Sequence, residues 1–275
     1  MNTHQRVERL APAVAGVLAP NPGPMTLGGT NTWVLGRPEP GPVLVVDPGP
    51  DDEEHLRRVL EVAGGRVSAV LVTHRHLDHV AGAARFAGLA GCGVRAVDPA
   101  WRVGEDGLPD GAVLEVSGAR VEVLATPGHT DDSVSLLLTH QGEDGPAGQG
   151  EQVDLLTGDT VLGFGSTVIT HPDGDLGAYL ASLDRLLDVV ATRAVARVLP
   201  GHGPVVADPR GVLEGYRRHR QERLAQVRGA VAAGASSPED VVRAVYPEVL
   251  GTPLERAALQ SARAQLDHLA AHREP

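Results

Sequence analysis

The chain has 275 residues, of which 42% are apolar and only 3% aromatic; it can bury a sizeable core built mainly from Val, Leu and Ala, the filling of a layered α/β protein. A formal charge of −11 and the complete absence of lysine exclude a surface that attracts polyanions everywhere, because phosphate binding rests on Lys and Arg. The balance is uneven, with 14 Arg against 27 acids over residues 1–209 and 10 Arg against 8 acids over 210–275.

The opening MNTHQRVERLAPAVAGVLAP lacks a basic start followed by a long apolar run, so no secretory leader is expected, and no segment reaches the length of a membrane span. Strand-like apolar runs bounded by turn residues follow at 31–36, 42–49, 68–74, 94–99, 112–116, 120–129, 133–140, 153–159 and 196–202. Helical patterns occupy 51–63, whose DDEEH opening places acids in the first turn, then 79–88, then 175–190 with Leu176, Leu180, Leu183 and Leu187 in helical register. The Gly-rich stretch 141–152 reads as an exposed loop. A single cysteine, Cys92, forbids an internal disulfide and suits a reducing, cytoplasmic setting.

From 209 onward the strand signals stop and three helices are predicted, which divides the chain into a body, 1–208, and a helical unit, 209–275. The second of these helices opens with Ser237 as N-cap and Pro238 at the first helical position; in the third, Thr252 and Glu255 have the spacing of a capping box. Along the first, Tyr216, Leu224, Val227 and Val231 face inward and leave Arg217, Arg218 and Arg228 exposed. Along the third, Leu254, Ala258, Ala262, Leu266 and Leu269 share one face and Arg256, Gln260 and Arg263 another.

The chemistry concentrates at strand ends. In THRHLDH, His74 ends a strand, His76 and Asp78 sit in the following loop and His79 begins a helix, so side chains that diverge along a regular element can converge here. TPGHT places His129, TGDT places Asp159 and PGHG places His202 just past three further apolar runs, each preceded by Gly. Imidazoles and carboxylates are ligands for borderline and hard divalent ions, and four strand ends supplying them together point to a metal site. His171 lacks a partner motif and reads as a loop residue. His4, His55, His140, His219, His268 and His272 read as surface or packing positions.

The run HxHxDH, TPGHT, TGDT, PGHG resembles the metallo-β-lactamase-fold hydrolases over residues 15–208. That resemblance implies an αββα sandwich in which His74, His76 and His129 hold one metal, Asp78, His79 and His202 a second, and Asp159 bridges both. Two zinc ions with a bridging hydroxide then make a protein nucleophile unnecessary, with Asp78 helping to orient the attacking oxygen. His and Asp also suit iron and manganese. A decayed, purely binding or scaffolding version of the fold is disfavoured because no ligand is missing, and the bridging aspartate argues against antibiotic hydrolysis.

NPGPMTLGGTNTWVLG (21–36), PGHGPVV (200–206), YRRHRQER (216–223) and the helical tail are similar to the β-lactamase-like-protein-2 family. This likeness implies a winged-helix-like tail and, as the leading activity, cleavage of single-stranded RNA; the alternative on the same metals is hydrolysis of acyl-carrier or glutathione thioesters, as in glyoxalase II. The sequence ends LAAHREP, so the wing is expected to be short or absent. Thr30 and Asn31, in a Gly-rich loop that approaches the metals in this fold, are candidate substrate contacts.

Overall fold

The computed structural model describes residues 6–142 and 150–272; most of the predicted 141–152 loop lies outside them. Two sheets face each other. The first has the order β1–β2–β3–β4–β5–β6, from β1 (Val7–Ala11), β2 (Val14–Leu18), β3 (Asn31–Leu35), β4 (Val43–Val46), β5 (Val67–Leu71) and β6 (Gly93–Arg95). The second has the order β11–β10–β9–β8–β7, from β7 (Val113–Val116), β8 (Ala119–Ala125), β9 (Val134–Gln141), β10 (Glu151–Gly158) and β11 (Val195–Pro200). Helices α1 (Glu53–Val62), α2 (Leu77–Val80) and α3 (Ala83–Ala90) belong to the first half, α4 (Leu176–Arg193) to the second, and α5 (Pro209–Ala232), α6 (Pro238–Val245) and α7 (Glu255–Ala271) follow. No helix among the described residues is long and apolar enough to cross a membrane.

Alternation along the strands builds the sandwich, because successive side chains leave a strand on opposite faces. Leu44, Val46, Leu71, Leu136, Leu138 and Leu156 enter the layer between the sheets. Their neighbours Val43, Val45 and Val70 pack under α1 and α3, and Leu137 and Leu155 pack under α4 and α5. This is the αββα arrangement that the resemblance implies. Two strands, β1 and β2, extend the first sheet through a segment that the sequence marks only by the absence of a leader; Val14 and Val17 within it are fully buried.

The predicted helix 79–88 is two helices. A single turn from Leu77 to Val80 presents Asp78 and His79, and the chain breaks at Gly82, where any side chain would meet the Pro50 carbonyl oxygen at 2.7 Å. The second tail helix starts as predicted at Ser237, which completes a capping box with Asp240. The third differs: α7 starts at Glu255 with Leu254 at its N-cap, and the Thr252 hydroxyl and Glu255 carboxylate instead accept from the amides of Leu254 and Gly251 in the preceding turn. Among the described residues no strand follows α7.

α5 straddles two cores. Its first half places Leu213 and Tyr216 in the cluster under the second sheet, and its second half places Val227 against Val241, Val242, Val245 and Ala262 of the tail. Arg217, Arg218 and Arg228 are exposed as expected, but Arg220, one turn beyond Tyr216, is buried, with its guanidinium over the Tyr179 ring and bonded to the Thr167 carbonyl oxygen.

A buried carboxylate ties three strands of the second sheet together. Asp154 on β10 accepts from Arg197 Nε (3.0 Å) and Nη2 (2.6 Å) on β11 and lies 3.0 Å from His140 Nε2 on β9. Burial works to raise its pKa, and the bonds from His140 and Arg197 override that and hold it below the usual carboxylate range. A depressed folded-state pKa stabilises the fold above the unfolded value, and the contribution disappears as pH falls through the folded one. Asp154→Asn is therefore expected to cost about 3 kcal/mol at neutral pH, measured by urea unfolding, and the penalty is expected to shrink toward zero as the pH is lowered.

Candidate metal centre

All seven predicted ligands meet at the carboxyl ends of the strands. His74, His76, His129 and Asp159 form one group able to hold a metal ion, and Asp78, His79 and His202 a second; within each, the donor atoms lie within 4.8 Å of one another. In the first, His76 Nδ1 lies 3.0 Å from both His74 Nε2 and His129 Nε2. In the second, His202 Nε2 is 3.2 Å from His79 Nε2 and 3.1 Å from Asp78 Oδ2. Asp159 stands between the groups, with Oδ1 at 3.3 Å from His79 Nε2 and Oδ2 at 3.4 Å from His202 Nε2 and 3.8 Å from His129 Nε2.

The glycines that precede the ligands have steric reasons. A Cβ at Gly201 would lie 2.6 Å from Asp159 Oδ1 and 2.8 Å from His79 Cε1, so only glycine lets the His202 loop close over the carboxylate. Gly128 has φ +135°, and a side chain there would run into the backbone of Tyr179 at the start of α4.

Outer bonds aim the rings. The Nδ1 atoms of four histidines are engaged away from the centre: His74 with Thr73 Oγ1 (3.0 Å), His79 with Asp47 Oδ2 (2.9 Å), His129 with the Val168 carbonyl oxygen (2.6 Å) and His202 with the Gly29 carbonyl oxygen (3.1 Å). With Nδ1–H donating outward, each Nε2 points inward, the orientation in which a neutral ring ligates metal. Asp159 Oδ1 is buried without a hydrogen-bond partner. Convergent ring nitrogens and an orphaned carboxylate oxygen fit cations.

The electrostatics divide the same way. Burial pushes His129 down to about 4 and His74 well below its usual value, so both are neutral at physiological pH. Burial opposes protonation of His202 and His79 too, but the carboxylates win: Asp159 drives His202 up to about 9, and Asp159 with Asp47 raises His79. Those two histidines in turn hold Asp159 well below the carboxylate range despite its burial. The carboxylates thus draw positive charge into the site, here as the protons of His79 and His202.

Asp47 emerges as a site residue only from the structure. It ends β4 within VVDPG, is buried, and accepts from the Thr73 amide (2.8 Å) and hydroxyl (2.7 Å) as well as facing His79, so it fixes both the His74 strand end and the His79 ring. An aspartate at the end of an apolar strand is part of the signal that locates Asp159, without the preceding glycine. Arg75 is a second such residue; lying between two ligands, it pairs with Asp98, Asp131 and Asp132 and joins the loops that follow three strands.

Thr30 and Asn31 act one layer back from the cavity. Thr30 is fully buried and its hydroxyl accepts from Asn21, while the Asn31 amide donates to the Pro200 (3.0 Å) and Gly203 (2.8 Å) carbonyl oxygens on either side of His202. Neither lines the cavity that opens onto the ligands. That cavity, of about 550 Å³, is lined by His76, Asp78, His129 and Asp159 and, among its apolar residues, by Met25, Leu27, Leu162, Phe164 and Leu254. His171, read from the sequence as a loop residue, lines it as well. The loop 162–170 that forms one side is held from behind: Tyr216 Oη accepts from the Leu162 amide, Arg220 donates to Thr167, and Ser261 Oγ accepts from the Ile169 amide.

A family model described as the metallo-beta-lactamase superfamily matches residues 25–202. A beta-lactamase-like protein 2 homolog of Caenorhabditis elegans is 33% identical over 243 residues, covering 82% of this chain and 73% of that protein. An atrochrysone carboxyl ACP thioesterase of Aspergillus chevalieri is 31% identical over 258 residues, covering 88% and 76% respectively. In fold, a metallo-beta-lactamase family protein of Thermus thermophilus matches with a TM-score of 0.75 at 23% identity, over 96% of this chain and 95% of that one. With a ligand set of this composition and matches of this extent, the chain belongs to the metallo-beta-lactamase superfamily, among the beta-lactamase-like protein 2 relatives, and is a metal-dependent hydrolase.

Proposed function

We propose that the protein hydrolyses acyl thioesters in the cytoplasm with two zinc ions, one held by His74, His76 and His129, the other by Asp78, His79 and His202, and Asp159 shared. Seven donors exceed what one four-coordinate zinc takes, which supports a pair. Such ions, when bound, supply a hydroxide at neutral pH and polarise the scissile carbonyl. The chain's own part is to place the substrate: Asp78, the more exposed of the two ligand carboxylates, faces the cavity and orients the attacking oxygen, while Met25, Leu27, Phe164 and Leu254 take the acyl group and exclude water from it.

The observation that carries this reading over RNA cleavage is the cavity lining. It contains no arginine among the described residues, and the chain has no lysine, so a phosphodiester backbone finds no cation beside the metals. The thioesterase name carried by the Aspergillus chevalieri relative supports the same choice. Zinc-loaded protein incubated with acyl thioesters and with single-stranded RNA, each with and without chelator, tests it. Chelator-sensitive release of free thiol is expected; chelator-sensitive RNA cleavage with no thiol release would refute it.

A further inference from the structure

A second cavity, of about 480 Å³, lies beside the metal cavity and shares Leu27 and Phe164 with it. The seam between the two runs next to His202. A Cβ on Gly203 would lie 3.2 Å from Leu27 Cδ1 and 3.2 Å from the Phe164 amide nitrogen, so both shared residues close on the His202 loop. Leu27 keeps its place with φ of 54°, a left-handed backbone that is unfavourable for leucine. Phe164 is 73% exposed, so packing does not fix its ring. Neither side chain belongs to a core cluster of the fold.

The second cavity is largely apolar. Leu18, Trp33 and Val205 line it together with the two shared residues. The Trp33 ring lies against the backbone of Gly16 on the neighbouring strand, where a Cβ would stand 2.9 Å from ring Cζ3, and its Nε1 donates to the Pro200 carbonyl oxygen at 3.2 Å. Asn31, a candidate substrate contact in the sequence, lines this cavity, and its amide is committed to the Pro200 and Gly203 carbonyl oxygens. Arg6 and Glu8, the charged residues of the lining, are exposed and bring one charge of each sign.

We infer that the second cavity receives the far end of the substrate's acyl chain, which crosses between Leu27 and Phe164, so that the enzyme acts on thioesters of long, unbranched acyl groups. The inference rests on the thioester reading above. Leu27 and Phe164 meet the acyl group in the metal cavity, and a chain that continues past them leaves water for further apolar surface. The thiol arm is the poorer occupant, because the side-chain amide it would bond there is already satisfied. A flexible chain bends over the seam, whereas a rigid ring system is held to one side of it.

Kinetics on the zinc-loaded full chain with the acetyl, hexanoyl and dodecanoyl thioesters of N-acetylcysteamine test this. Dodecanoyl is expected to exceed hexanoyl in kcat/KM by about tenfold or more, since each methylene taken out of water favours binding. Gly28 lines the second cavity, and a Cβ there meets nothing within 4 Å; Gly28→Phe is therefore expected to fill the space and remove the dodecanoyl advantage. Gly88→Phe on α3, where an added Cβ is equally free, makes the same change away from both cavities and is expected to keep that advantage, and melting curves report folding of both variants. A direct readout needs no turnover. In Trp101→Phe, Trp33 is the remaining tryptophan of the two, and a dodecanoyl amide analogue brominated at its last carbon is expected to quench its fluorescence, with the unbrominated analogue as reference. Equal kcat/KM for hexanoyl and dodecanoyl, an advantage that survives in Gly28→Phe, or absence of quenching overturns the inference and leaves the thioesterase reading intact. A gain from pantetheine in place of N-acetylcysteamine that Gly28→Phe abolishes would overturn it in favour of the thiol arm. Absence of turnover with every thioester overturns both readings.

Discussion

Replacing Asp159 by alanine is expected to lower kcat/KM by more than about 100-fold, beyond the loss typical of an outer-layer partner, and to reduce bound metal to one ion per chain or fewer. Asp159 is the only carboxylate among the described residues within reach of both histidine groups, and its Oδ1 has no protein partner to fall back on. Mass spectrometry of the native protein counts the ions, and thiol release measures turnover. A second readout needs no metal. The Asp159 charge overrides burial to drive His202 up to about 9, so in metal-free Asp159→Ala the His202 ring is expected to titrate well below that value by NMR. Two ions per chain in the variant would show that Asp159 does not bridge.

Asp47→Ala is expected to cost stability and metal affinity together. Its carboxylate satisfies the Thr73 amide, the Thr73 hydroxyl and the His79 ring, all buried. Leaving these donors unpaired costs about 3 kcal/mol or more, and freeing the His79 ring weakens metal binding by roughly 10–100-fold. Urea unfolding of the metal-free protein isolates the first effect. Competition with a zinc-binding dye isolates the second, and an unchanged zinc affinity would contradict the aiming role.

The residues of the candidate metal centre are legible in the sequence because each motif sits at the end of an apolar strand and three of them carry a glycine, and both halves of that signal have local causes. Strand ends converge in a layered fold, and the glycines relieve contacts such as Gly201 against Asp159. Asp47 carries half of the signal, a strand end without a glycine directly before the ligand position, and escapes notice for that reason. β1 and β2 are hidden by the Ala- and Gly-containing runs VERLA and VAGVL, whose β-preference is weak until the edge of the sheet provides a partner. Arg220 is hidden differently: a charged residue one turn beyond Tyr216 implies solvent, and only the Tyr179 ring and the Thr167 carbonyl oxygen make its burial tolerable. The start of α7 is displaced because Thr252 and Glu255 have the right spacing for a cap, yet serve the turn ahead of it.

The bracing of loop 162–170 by Tyr216, Arg220 and Ser261 separates two kinds of inheritance in one enzyme. Substitutions among the strand ends alter whether the protein reacts at all. Substitutions on α5 and α7, far along the chain, reshape a wall of the reaction chamber without touching a ligand, so substrate range can diversify there while the hydrolytic chemistry stays constant.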